Sequence, residues 1–315
     1  MGKRKKRQNN SIIYLIVIII FAILSAFGIE FGAGEKATSV VNVVNPENLQ
    51  NVTIKTGNTI SQDFVSENKQ NLKVYFFDVG QADCILVMNE NQTMLIDAGN
   101  NEDGDMLVQN LNTLGVKKID YLVGTHAHED HIGGLDDIIK NFEIGTIYMP
   151  NVQTNTKTFE DVLDAVASKN LAIETPNIND SFSVGEAECT ILAVDNNEEE
   201  LNLSSIVIQM KFNGMSYLFM GDAETEIEEK ILEEFNKNNK DIKANILKVG
   251  HHGSNTSSSE EFLEAVAPEI AVISVGKDNS YNHPSSEIID RLNQIGSQIY
   301  RTDEVGNIFI EQMKE

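Results

Sequence analysis

From Leu72 onward the chain alternates short apolar runs with polar, turn-forming pieces. Val74-Tyr75-Phe76-Phe77, Ile85-Leu86-Val87-Met88 and Met94-Leu95-Ile96 are separated by Gly80 and by Asn89-Glu90-Asn91, which predicts a β meander. A helix is predicted over 104–115, followed by a buried strand, Tyr121-Leu122-Val123-Gly124, and by helices over 133–141 and 158–169. A second strand-rich stretch begins near Phe182 and runs through 188–194, 205–212 and 216–220. A helix over 224–236, strands at 245–249 and 270–275, a helix over 285–295 and strands at 298–301 and 307–311 complete the pattern. Two strand-rich halves with interleaved helices predict an α/β fold of two sheets packed face to face, with helices outside. The body, 71–315, reads as one domain.

The residues ahead of it follow other rules. Residues 30–70 are polar and read as a linker, with one short strand allowed at Val40-Val41-Asn42-Val43-Val44. Ile12 to Ile29 is an uncharged, mostly apolar run, long enough as a helix of about 27 Å to cross a hydrocarbon core of about 30 Å. Lys3, Arg4, Lys5, Lys6 and Arg7 precede it and Glu30 follows. That asymmetry predicts a cytoplasmic basic segment, 1–10, a transmembrane signal anchor, 11–29, and a single-pass membrane protein with its body extracellular. The alternative is a signal peptide that is cleaved, leaving a secreted body.

Composition adds limits. Of the 315 residues 41% are hydrophobic and 23% charged, enough for a sizeable core. The formal charge is −24, and five basic residues stand before the apolar run, so the body is more acidic still. Such a surface repels polyanions, which argues against broad, tight nucleic-acid binding but leaves room for one phosphate at a local cationic site. Cys84 and Cys189 lie within strand-like runs, where two buried thiols are expected, although an external location permits a bridge.

All six histidines fall in three short segments, Thr125-His126-Ala127-His128-Glu129-Asp130-His131, Gly250-His251-His252-Gly253-Ser254 and Tyr281-Asn282-His283-Pro284. Neutral imidazole is the commonest transition-metal ligand, so this concentration predicts one metal site. His126 and His128 can face one ion, and Asp130 and His131 a second, on a turn from a strand into a helix that starts at Gly133-Gly134. Asp222 follows the run Tyr217-Leu218-Phe219-Met220-Gly221 and is either a bridging carboxylate or a helix cap. Asp97, in Leu95-Ile96-Asp97-Ala98-Gly99, can accept hydrogen bonds that fix the metal loop.

Taken in order, Asp78-Val79-Gly80-Gln81, Leu95-Ile96-Asp97-Ala98-Gly99, the His126 segment, Met220-Gly221-Asp222, Lys248-Val249-Gly250-His251-His252-Gly253-Ser254 and Ser274-Val275-Gly276 resemble the metallo-β-lactamase superfamily. More narrowly, the series is similar to the hydrolase domain of the competence protein ComEC and its stand-alone relatives. The resemblance implies a four-layer αββα sandwich. It implies two divalent ions, zinc or manganese: His126 and His128 on the first, Asp130, His131 and His251 on the second, and Asp222 bridging. It places Asp78, Asp97, Asn202 and Ser205 behind the ligands, and leaves His252 and His283, with Asp130, for the chemistry on substrate. Hydroxide held between ions about 3.5–4 Å apart would be the nucleophile.

The sequence departs from the superfamily pattern where many members place another histidine. None lies between His131 and His251, and Asn202-Leu203-Ser204-Ser205 stands there, which favours an oxygen-rich first site and manganese. Ala82 and Asn282 replace frequent glycines. No multi-helix channel accompanies the domain in this sequence, so a DNA-translocating role is not expected to transfer. Ser254, Thr256 and Asn279 are expected to line the pocket. The expected function is a metal-dependent hydrolase of phosphodiesters (nucleic acid, nucleotide or wall polymer). The alternatives are a lactamase or lactonase type of hydrolase and a non-catalytic surface module that assists DNA capture.

Overall fold

The computed structural model describes residues 42–44, 49–196, 200–238 and 241–314. The predicted basic segment 1–10 and anchor 11–29 lie outside them, and among the described residues no helix is long and apolar enough to cross a membrane.

Eight strands come first: β1 (Asn42–Val44), β2 (Val52–Gly57), β3 (Leu72–Phe76), β4 (Ile85–Asn89), β5 (Gln92–Ile96), β6 (Lys118–Val123), β7 (Glu143–Tyr148) and β8 (Ile173–Glu174). Helices α1 (Gly104–Thr113), α2 (Glu129–Ile132), α3 (Leu135–Asn141) and α4 (Lys157–Ser168) lie among them. The second half supplies β9 (Ser181–Val184), β10 (Ala187–Ala193), β11 (Val207–Phe212), β12 (Met215–Phe219), β13 (Ile246–Lys248), β14 (Ile270–Ile273) and β15 (Gln298–Arg301). Its helices are α5 (Thr225–Asn238), α6 (Glu260–Val266), α7 (Ser286–Gln294) and the short α8 (Thr302–Val305), after which β16 (Asn307–Gln312) returns to the first sheet. The two sheets run β1-β2-β16-β3-β4-β5-β6-β7-β8 and β15-β14-β13-β12-β11-β10-β9.

Both sheets follow one plan. An antiparallel meander, β3-β4-β5 or β10-β11-β12, is followed by parallel strands reached through helices. Parallel neighbours require such crossovers, and the crossovers supply the outer layers. Alternation along each strand then sorts side chains into layers. Val74 and Phe76 of β3, Ile208 of β11 and Phe219 of β12 meet between the sheets. Tyr75, Leu86 and Leu95 turn instead toward Leu107, Ile138 and Val162 of α1, α3 and α4. On the far side Leu218, Leu247 and Ala271 pack on Ile227, Phe262 and Ile288 of α5, α6 and α7. Burial on both faces explains why these strands read as continuous apolar runs. The result is the expected four-layer αββα sandwich. Cys84 and Cys189 are free, buried thiols in different layers.

Three expectations need correction. The linker read over 30–70 is partly folded: β2 pairs along its length with β16, and Phe64 is buried, its carbonyl accepting from Tyr75 Oη at 3.0 Å. The folded unit therefore reaches well before residue 71. The helix expected over 133–141 is α3, which begins at Leu135, and an unanticipated separate turn, α2, precedes it and contains Asp130 and His131. Gly133 and Gly134 serve close approach: a Cβ would stand 2.2 Å from the backbone of Asn100 at the first and 2.5 Å from Ala98 O at the second. Finally β7, β8, α6 and the short α8 were not anticipated.

Candidate metal centre

In both sheets the carboxyl ends of the parallel strands point to one edge, where irregular backbone can carry ligands. Asp97 follows β5, His126 and His128 follow β6, Asp222 follows β12, and His251 and His252 follow β13. The local chain is bent to suit: Asp97, His251 and His252 have φ of 60°, 46° and 51°, left-handed values that side chains rarely adopt.

Asp97 is fully buried and anchors the first loop. Its Oδ1 accepts from Thr125 N at 2.8 Å, and its Oδ2 accepts from Thr125 Oγ1 at 2.8 Å and from His131 Nδ1 at 2.8 Å. With the Thr125 hydroxyl proton committed to Asp97, its oxygen takes the Nδ1 proton of His126 at 3.2 Å. His252 Nδ1 donates to Ser274 O at 2.9 Å. Each of these three imidazoles is thus held from behind through Nδ1 and presents Nε2 forward.

Four side chains converge in front. One ligand atom each from Asp130, His131, Asp222 and His252 lie within 4.8 Å of one another. His131 Nε2 stands 3.2 Å from Asp222 Oδ2 and 3.9 Å from Asp130 Oδ2, and His252 Nε2 stands 3.5 Å and 3.3 Å from the same two atoms. Ligands at about 2.1 Å from one ion in tetrahedral array lie about 3.4 Å apart, so the group has the dimensions of a cation cage. Its buried His131 Nε2, His252 Nε2 and Asp222 Oδ1 have no hydrogen-bond partner, which is costly unless something positive or protic sits among them. Beside it His126 Nε2 and His128 Nδ1 are 3.0 Å apart, a spacing two donors on one ion also take.

The electrostatics agree. Desolvation opposes charge on His131, yet Asp222, Asp97 and Asp130 raise its pKa well above the ordinary value. His252 is raised too, against its burial, by the nearby carboxylates of Asp222 and then Asp130. Burial would raise Asp222 and Asp130, but His131 lowers both. The group draws positive charge to itself, and a divalent ion meets that demand better than two protons do. His126 goes the other way: burial, then His131, hold it well below the usual range, in the neutral form that ligates.

Not every expected residue is where the sequence placed it. His252, set beside substrate, joins the four-atom group, whereas His251 lies at its edge with Nε2 3.7 Å from Asp222 Oδ2 and Nδ1 3.2 Å from Glu224 Oε1. The left-handed pair of residues explains the exchange, because it turns the two rings to different walls. Ser205 Oγ lies 3.4 Å from His126 Nδ1 and accepts from Asp222 N at 3.2 Å. Asn202 donates to Glu224 Oε1 at 3.1 Å. Asp78 stays away from the group; its Oδ1 accepts from Gly80 N at 3.4 Å, so it shapes the β3–β4 turn. His283 does face the cavity, its pKa pushed down to about 4 by burial and then by His251. Ser254, Thr256 and Asn279 stand behind the lining: the two hydroxyls are 3.0 Å apart with Thr256 3.3 Å from His251 Nδ1, and Asn279 Oδ1 accepts from Tyr281 N and His283 N at 3.1 Å.

Two residues, Lys248 and Asp83, were given no role in the sequence reading. Lys248 of β13 is fully buried, pairs with Asp83 from the β3–β4 turn, and donates to Gly221 O at 3.3 Å. Asp83 Oδ1 in turn lies 3.6 Å from His252 Nδ1. A lysine inside an otherwise apolar strand was the available signal, since unpaired lysine is almost never fully buried.

The group opens into a cavity of about 480 Å³, lined by Gln81, Asn100, His128, Glu129, Asp130, Asn202, Asp222, His251, His252, Tyr281 and His283. That volume suits a small ligand.

Residues 77–277 match the family model described as the metallo-beta-lactamase superfamily. The chain is 32% identical to ComE operon protein 3 of Bacillus subtilis (strain 168) over 255 residues, covering 75% of this chain and 32% of that protein. It is 32% identical to Competence protein ComA of Neisseria gonorrhoeae over 246 residues, covering 76% of this chain and 32% of that protein. The chain therefore spans about a third of the length of these curated relatives. The crystal structure of the metallo-beta-lactamase fold protein YhfI from Bacillus subtilis aligns with a TM-score of 0.48 at 10% identity, over 74% of this chain and 98% of that one. With its αββα layers, its site at the shared strand edge and the family match across most of the folded body, the chain belongs to the metallo-β-lactamase superfamily.

Proposed function

We propose that this protein is a metal-dependent phosphodiesterase whose catalytic domain is held outside the cell membrane by residues 11–29. The observation that carries the catalytic part is the convergence of Asp130, His131, Asp222 and His252 at ligand separations, with their buried forward atoms unpartnered. These four would hold one divalent ion and His126 and His128 a second, with Asp222 serving both. The donor set mixes imidazole and carboxylate, which suits zinc or manganese. Divalent cations held there would supply Lewis-acid chemistry, activating water and stabilising charge on the oxygens of an in-line displacement.

The chain's own residues do the rest. Asp97 and the Ser274 carbonyl fix the rings of His131 and His252, so the cage forms without reorganisation. His251 and His283, their rings 5.6 Å apart, flank the mouth where a leaving group departs. Asn202 lines the cavity, with its amide nitrogen donating to Glu224 Oε1.

The test uses the full chain in detergent, stripped of metal and reloaded with Mn²⁺ or Zn²⁺, with bis-p-nitrophenyl phosphate as substrate. Nitrophenol release that requires metal and falls at least about a hundredfold in His128→Ala supports the proposal. Absence of turnover with either ion, or equal turnover by His128→Ala, overturns it. Faster hydrolysis of a β-lactam or lactone would reassign the substrate. Protease accessibility of the domain from outside intact cells tests the placement.

A further inference from the structure

Two features of the cavity bear on which phosphodiester it takes. None of its lining residues is Lys or Arg, while Glu129, Asp130 and Asp222 are acidic, in a chain of net charge −24. A polynucleotide is bound by neutralising successive phosphates with cationic side chains, and beyond the one phosphate held at the metal group this surface offers the next ones repulsion.

The second feature is Tyr281. Among the described residues it is the most exposed large apolar side chain, at 67%, and it stands on the cavity rim. One side of its ring is stacked on His283, centroids 5.7 Å apart at 26°. The loop beneath is fixed, because Asn279 accepts both the Tyr281 and the His283 amides and donates to Gly276 O at 2.9 Å. A rigid, exposed aromatic over a polar site is a stacking platform for a planar ring. Gln81, Asn100 and Asn202 contribute neutral polar side chains to the lining of the same cavity.

We infer that the site takes a small phosphodiester with one negative charge and a planar ring next to the scissile phosphate, of dinucleotide size, and that the ring stacks on Tyr281. This rests on the phosphodiester reading above. A polymer would engage only through a single linkage.

Binding tests it independently of turnover. The metal-loaded full chain is titrated with a phosphorothioate thymidine dinucleotide and with a phosphorothioate thymidine 20-mer at several salt concentrations. The expectation is a shallow dependence of log affinity on log salt for both, no steeper than the slope of about −0.7 that one neutralised phosphate of a single strand gives. Affinity per linkage should not be higher for the 20-mer. Tyr281→Ala should weaken dinucleotide binding about tenfold or more, and Tyr281→Phe should restore it. A salt slope for the 20-mer of two or more phosphates' worth, about −1.4 or steeper, or dinucleotide affinity unchanged in Tyr281→Ala, overturns the inference. Turnover of bis-p-nitrophenyl phosphate with Tyr281-independent binding would remove this inference and leave the phosphodiesterase. Ring-dependent binding without any turnover would remove the enzyme and leave the ligand class.

Discussion

At His251 and His252 the backbone holds φ of 46° and 51°, two successive left-handed residues neither of which is glycine. Such values cost roughly 1–3 kcal/mol each and persist only where surrounding contacts enforce them. Here the gain is that His252 Nε2 is delivered to Asp130 and Asp222 while His251 is turned to Glu224. His252→Ala should therefore lower the metal retained by the purified protein, measured by elemental analysis, whereas His251→Ala should leave it near the parental content. Equal losses in the two variants would put both rings on metal. Asp97→Ala removes the acceptor that orients His131, and chelator competition should find metal held about 10–100-fold less tightly. The sequence pointed to this segment as a candidate metal site, because histidine is so concentrated there. It could not tell which of two identical neighbours faces the ion, since that depends on two torsion angles that nothing in the residue types demands.

Among the elements, α2 and α3 show how a ligand loop is seated. Gly133 N donates to Gly99 O at 2.9 Å and Gly134 N to Ala98 O at 3.1 Å, so the backbone after His131 lies against the turn after Asp97. No side chain fits between them. Gly133→Ala should cost about 1–3 kcal/mol in a denaturant titration by overpacking backbone against backbone. A stability equal to the parent would mean that the turn can move aside. Elements with long apolar runs, such as β3, β4 and β12, were legible because both their faces are buried. β7 was missed because Gly145 and Thr146 interrupt its apolar residues. β2 was missed because its sequence, Val52-Thr53-Ile54-Lys55-Thr56-Gly57, sits in a polar neighbourhood and its partner β16 lies some 250 residues away.

For the whole molecule, the metal group depends on two sheets meeting in register. Asp83, from the first, and Lys248, from the second, form a buried pair behind it, and Lys248 also holds the carbonyl of Gly221 next to Asp222. Lys248→Met leaves Asp83 without its cation and should destabilise the protein by about 3–5 kcal/mol. The double variant with Asp83→Asn should recover part of that loss, and a urea-unfolding cycle reads the difference. Strictly additive losses would mean that the two act separately. No local pattern announces such a pair, because its partners are joined only by the packing of the two halves. The same long-range dependence appears in β16, which lies between β2 and β3 and brings Ile308 and Ile310 into the layer between the sheets. During synthesis the first half of the chain leaves the ribosome with a gap in its sheet, and two strands with unsatisfied edges must wait for residues 307–312 to arrive. The first sheet therefore closes only after the strands of the second have been made, so the two halves of this fold cannot be completed one after the other.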